Sequence, residues 1–209
     1  MNDWINRAVT WFVIIDPVGT LPLYLALTGK MSPERRLKVA SKAILIAGVV
    51  LLGYVALGQI LLNALGITLP AFRLAGGIIL FLLGLQMVFD SGHNTGPHLH
   101  EEPGRDVAVF PLAIPSLAGP GSVMAAIVMT ESGRFSPLEQ AGNIGLMLGV
   151  LGITWMAFRF AEPIQKKIGE TGANVISRVM GMILCALAVQ AVVESLQAML
   201  AAGASASGG

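Results

Sequence analysis

Charge is what this sequence has least of. Asp, Glu, Lys and Arg make up 12% of its 209 residues, against roughly 25% in a soluble globular domain, too little to cover a water-facing surface. Cysteine is nearly absent. Cys185 stands alone, so no internal disulfide forms, and its place inside an apolar run reads as a packed, inert thiol. The net charge is +1 and no basic stripe alternates with aromatics, which argues against a nucleic-acid partner. No P-loop is present, so ATP does not drive this chain. The sequence also has no HExxH, no nucleophile–base set and no paired carboxylates within an apolar run, and we expect no enzymatic activity.

What fills the chain instead is hydrocarbon: 55% of residues are apolar and the mean hydropathy is +0.75. The expected solvent is a bilayer, which makes this an all-α membrane protein. A helical span needs roughly 20 mainly apolar residues at about 1.5 Å each. Six segments qualify, at residues 4–28, 40–65, 71–89, 107–130, 141–158 and 173–198. Asp3 precedes the only early cation, Arg7, and no small-residue cleavage site follows, so the first segment reads as an uncleaved span. One transmembrane domain is expected over 1–200. Its halves, about 1–90 and 107–200, are joined by a Gly-, Pro- and His-containing connector at 91–106. The low-complexity tail 201–209 is expected to be disordered.

Lys and Arg are retained on the cytoplasmic side. Ten of the thirteen, namely Lys30, Arg35, Arg36, Lys38, Lys42, Arg105, Arg159, Lys166, Lys167 and Arg178, fall on one face, and only Arg7, Arg73 and Arg134 fall on the other. Both termini are therefore expected outside. The sequence also repeats at an offset of 103 to 105 residues: Asp16-Pro17-Val18-Gly19 lies against Gly119-Pro120-Gly121-Ser122, Ser32-Pro33 against Ser136-Pro137, Leu65-Gly66 against Ile168-Gly169, and Arg73 with Gly76 against Arg178 with Gly181. Three spans per repeat turn the second copy upside down. The loop charges follow: SPERRLK is basic where its partner SPLEQAG is not, and KKIG is basic where NALG is not. The expected architecture is six transmembrane helices as two inverted three-helix repeats.

Proline and glycine interrupt the first and fourth spans at matched places, IDPVGTLP and IPSLAGPGS. Proline removes a donor and clashes with the preceding turn, and glycine eases unwinding, so both helices are expected to be discontinuous near mid-membrane. Such a break is tolerated only where it is buried in protein or lines a polar cavity. Its half-helix N-termini suit a carboxylate, and its unwound carbonyls suit a cation. The candidate binding residues are Asp16, Pro17, Gly19 and Thr20 in one break and Pro115, Ser116, Gly119, Pro120, Gly121 and Ser122 in the other. Asp16 is the only ionisable residue in the middle of a span. Two roles stay open for it: a proton carrier in coupled transport, or a cap on the half-helix end.

Other polar residues carry less. Arg73 and Arg178 near span starts read as snorkelling or packing groups, and Gln86, Gln190 and Glu194 as helix-bridging groups. Gly145, Gly149 and Gly152 have the spacing of close helix packing. His93, His98, His100, Glu101 and Glu102 fit no zinc pattern, so no metal site is expected.

The segments IDPVGTLPLYLALT (15–28), AFRLAGGIILFLLGLQMVF (71–89), FPLAIPSLAGPGS (110–122) and ETGANVISRVMGMILCALAVQ (170–190) resemble the MarC family of integral membrane proteins, also described as the neutral amino acid transporter family. The resemblance implies six spans, residence in the prokaryotic inner membrane, and proton- or Na+-coupled movement of small neutral amino acids such as glycine or alanine, with no cofactor. It assigns no oligomeric state. The alternatives are export of another small metabolite on the same scaffold, or a structural, partner-binding membrane protein.

Overall fold

The structure is a computed structural model and describes residues 2–89 and 106–207. The connector with His93, His98, His100, Glu101 and Glu102 lies outside the described residues. Within them every regular element is helical: α1 (Asn2–Ile15), α2 (Thr20–Thr28), α3 (Pro33–Ala64), α4 (Leu69–Phe89), α5 (Ala108–Leu117), α6 (Pro120–Val128), α7 (Pro137–Arg159) and α8 (Ala161–Ser207). Five stretches are long and apolar enough to cross a bilayer, with α1 and α2 together making the first. The pair α5 and α6, bent by 54°, makes a sixth.

Local chemistry sets the ends of these helices. Ser32 caps α3, its Oγ accepting the Arg35 N–H at 3.4 Å. Ser136 caps α7 in a reciprocal box, in which Ser136 Oγ accepts the Glu139 N–H and Glu139 Oε2 accepts the Ser136 N–H at 3.0 Å. Each cap satisfies amides that the first helical turn leaves free. Pro33 and Pro137 follow at the first helical position, where a missing N–H costs nothing. The chain turns at Gly66 (φ 67°) after α3 and is interrupted at Gly169 (φ 71°) within α8. Both are left-handed conformations that carry no Cβ penalty in glycine.

Two stretches differ from the sequence expectation. Residues 161–168, expected between spans, are helical up to the break at Gly169. Residues 201–207, expected to be disordered, continue α8; three of the first five are alanine, the strongest helix former.

The closest pair is α4 and α8. A Cβ on Gly77 would meet Val192 Cγ2 at 2.9 Å and Ala188 O at 3.2 Å, and one on Gly181 would meet Met87 Cβ at 2.7 Å and Gly84 O at 2.8 Å. Partner numbers fall on α8 as they rise on α4, so the two helices run antiparallel. Their small residues let the backbones touch. Gly145, Gly149 and Gly152 do not take this role: a Cβ at any of them has nothing within 4 Å, and Gly145, Gly149 and Gly152 on α7 are outward-facing.

The main core gathers Trp11, Ile15, Leu51, Leu112, Met147 and Phe158 where α1, α3, α5 and α7 meet, and a smaller one joins Val13, Leu80, Met124, Leu184 and Ala188. The outer surface is apolar too: Leu45 is 67% exposed, Ile60 65%, Leu82 56% and Met182 54%. That much hydrocarbon facing outward suits lipid as the solvent.

Candidate functional site

The first break is a tight turn built by one carboxylate. Asp16 has a left-handed backbone (φ 50°), a conformation that Asp tolerates better than most side chains. Its Oδ1 accepts the Gly19 N–H at 2.9 Å, and its carbonyl accepts the Thr20 N–H at 3.1 Å. The Thr20 hydroxyl donates to the carbonyls of Asp16 (3.0 Å) and Pro17 (3.2 Å), so it serves the break itself. A Cβ on Gly19 would run into the Asp16 carboxylate and meet Met87 Cε at 2.9 Å. Gly19 is therefore required by this turn, whose geometry is that of a cap.

The second break is longer than expected and begins at Phe110, before residues 114–122. Phe110 (φ −132°, ψ 126°) and Ile114 (φ −128°, ψ 123°) are extended. Each precedes a proline, Pro111 or Pro115, whose ring excludes the helical conformation from the residue before it. The chain then passes Ala118 (φ −97°, ψ 58°) and extended Gly119 (φ −84°, ψ 177°) before Pro120 starts α6. A Cβ on Gly119 would strike the Pro115 carbonyl, and one on Gly121 would strike Leu80 of α4. Gly121 and Ser122 are buried, Ser116 is half-buried, and Pro115 and Pro120 are exposed. The hydrogen bonds of each break close within that break, so these contacts do not join the ten residues into one cluster.

A crevice of 690 Å³ opens on the face that carries the N-terminus, between α1, α6, the α6–α7 segment and α8. Along α1 it runs from Asp3 to Ile14, roughly 16 Å of helix at about 1.5 Å per residue. None of the ten predicted residues lines it, but its lining includes Ile14, two residues before Asp16, and Met124, two residues after Ser122. All three cations of the cation-poor face, Arg7, Arg73 and Arg134, line the crevice, with Asp3, Glu139, Glu194 and Gln190. Sequence reasoning gave Arg73, Gln190 and Glu194 structural roles, used Arg7 and Arg134 only for orientation and did not name Glu139; the signal available was the scarcity of cations on that face.

On the opposite face, α2 is held against α3 and α7. Tyr24 of α2 stacks on Phe158 of α7, with ring centroids 4.4 Å apart and planes within 9°, and Tyr24 Oη donates to Arg36 O at 3.0 Å. Arg36 donates from Nε to Thr28 O (3.0 Å) and from Nη2 to Gly29 O (2.6 Å), capping the end of α2, and its Nη1 reaches Glu162 Oε2 at 3.4 Å. Lys42 of α3 pairs with Asp106 ahead of α5. The Lys42 hydrogen bond holds the Asp106 carboxyl below its usual value, and Lys166, with Arg36 adding to it, does the same for Glu162.

Broken spans, an open crevice and a lipid-facing apolar surface define a polytopic α-helical membrane protein. The MarC family integral membrane protein profile matches residues 1–200, and the chain belongs to that family. It is 34% identical over 200 residues to UPF0056 membrane protein MJ1677 of Methanocaldococcus jannaschii, covering 90% of this chain and 93% of the relative. It is 32% identical over 199 residues to the UPF0056 inner membrane protein YhgN of Escherichia coli (94% and 98%) and 32% identical over 204 residues to a UPF0056 membrane protein of Aquifex aeolicus (94% and 94%). No solved structure matches the chain.

Proposed function

We propose that this protein is a secondary transporter of small neutral amino acids such as glycine and alanine, driven by protons or Na+, in the prokaryotic inner membrane with both termini outside. It performs no catalysis and needs no cofactor. The observation that carries the reading is the asymmetry just described: a charged crevice descends from one face toward the first break, while on the other face stacked rings and arginine and lysine contacts tie the described helices together. That is the form of a carrier open to one side.

Matched contacts at positions about 104 residues apart support an inverted-repeat architecture as part of this reading. Gly77 touches Ala188 and Val192, and Gly181 touches Gly84 and Val88, each residue 104 positions from its counterpart, as a twofold between antiparallel helices requires. The Ser-Pro starts of α3 and α7 and the left-handed Gly66 and Gly169 recur at matched positions. Eight described cations, from Lys30 to Lys42 and from Arg159 to Lys167, lie on the face opposite the crevice, which supports its being cytoplasmic. Uptake of labelled glycine and alanine by proteoliposomes, with imposed proton or Na+ gradients, tests the proposal. Gradient-stimulated accumulation is expected, and none for any neutral amino acid would overturn it.

A further inference from the structure

The three arginines of the crevice are not alike. Arg7 is held on three sides: its guanidinium lies 4.8 Å from the ring centroids of both Trp4 and Phe135, and its Nη2 is 2.9 Å from Glu139 Oε1, which leaves its buried Nη1 without a hydrogen-bond partner among the described residues. Arg73 of α4 and Arg134 of the α6–α7 segment have no ion pair or side-chain hydrogen bond among the described residues, although the Arg134 guanidinium lies over the Phe135 ring at 5.4 Å. They act on each other as like charges, and both also line an adjoining recess of 260 Å³. Glu131 and Glu194 stand in the field of Arg73, yet neither closes on it. Glu194 instead accepts the Gln190 amide at 2.8 Å. Charges of both signs are thus held apart around open space.

We infer that the crevice is a binding site for a small zwitterion, distinct from the two breaks, with the solute carboxylate on Arg73 and Arg134 and its ammonium on Glu194. Two guanidinium groups with free donors match a carboxylate's paired oxygens. The charged lining, three arginines and three acids, is balanced, so it holds a neutral dipolar solute without drawing a net ion. The inference rests on the transport reading for the identity of the solute, and its test measures binding alone.

Labelled glycine or alanine is titrated onto purified full-length protein in neutral detergent. Saturable binding is expected, competed by neither glycinamide, which lacks the carboxylate, nor acetate, which lacks the ammonium. Arg134→Gln and Arg73→Gln should each weaken binding at least about tenfold. Arg134 is exposed, so the melting temperature of its variant should match wild type, which separates lost binding from lost fold. Wild-type affinity in both variants would place the solute elsewhere and overturn the inference while leaving the transport reading intact. Arginine-dependent stabilisation by added phosphatidylglycerol, with no glycine or alanine binding, would make this a lipid-headgroup site and likewise overturn it. Proteoliposome uptake then judges transport separately.

Discussion

Gly84 and Gly181 face each other so closely that the carbonyl oxygen of each lies 2.8 Å from where a Cβ on the other would stand. Besides Cys185 Sγ and Met87 Cβ, the obstacle on both sides is backbone, which cannot swing away to make room. Gly84→Ala or Gly181→Ala should therefore lower stability by about 1–3 kcal/mol, as overpacking does. Gly149→Ala, with nothing within 4 Å of its Cβ, should be near neutral. Thermal melts of the three variants in one detergent compare them; a Gly84→Ala melt equal to that of Gly149→Ala would contradict this packing.

Asp16 separates its two possible roles by chemistry. Asn keeps an oxygen for the Gly19 N–H and tolerates the left-handed backbone, so Asp16→Asn should fold as wild type. Asp16→Ala loses the cap at a cost of about 1 kcal/mol. On the transport reading, Asp16→Asn should also lose gradient-driven uptake. Wild-type ion coupling in that variant would leave the carboxylate a cap only.

Acid should loosen the face opposite the crevice first. Asp106 and Glu162 have folded-state pKa values below their usual ones, so their contribution to stability is present above the unfolded value and is lost as pH falls through the folded value. Melting temperature should fall as the pH drops below the ordinary carboxylate range. Lys42→Met, which removes the Asp106 partner, should flatten part of that fall. An unchanged pH slope in Lys42→Met would show that the pair contributes nothing.

Topology is open to labelling at two exposed positions. Ser132→Cys lies between α6 and α7 and Lys30→Cys between α2 and α3. An impermeant maleimide on intact cells should label the first and reach the second only after permeabilisation, with the wild-type chain as the blank for Cys185. The reverse pattern would invert the orientation.

The breaks were legible because proline and glycine act locally: Asp16-Pro17 and Gly119-Pro120 disrupt a helix wherever it lies. Ser32-Pro33 and Ser136-Pro137 stood out as matched repeat positions, but their role as helix caps came only with the structure. The start of the second break at Phe110 was within reach, since Pro111 was in plain view. The crevice was not, because Arg7, Arg73, Arg134 and Glu194 come from four distant parts of the chain and only packing brings them together. Spacing alone also misplaced the close helix contact. Gly145, Gly149 and Gly152 carry a packing pattern, but which face of a helix meets a neighbour is decided by that neighbour, and here α4 and α8 take the role.

The crevice also shapes the electric field. Solvent entering it would conduct, so along whatever part of it lies within the hydrocarbon core the voltage would scarcely change. On the transport reading, the transmembrane potential would then concentrate across the layer between Ile14 and the Tyr24–Phe158 stack. A unit charge crossing that layer exchanges about 2.3 kcal/mol with the membrane for each 100 mV. Asp16, just beyond the crevice floor, sits at the edge of the layer where this work is done.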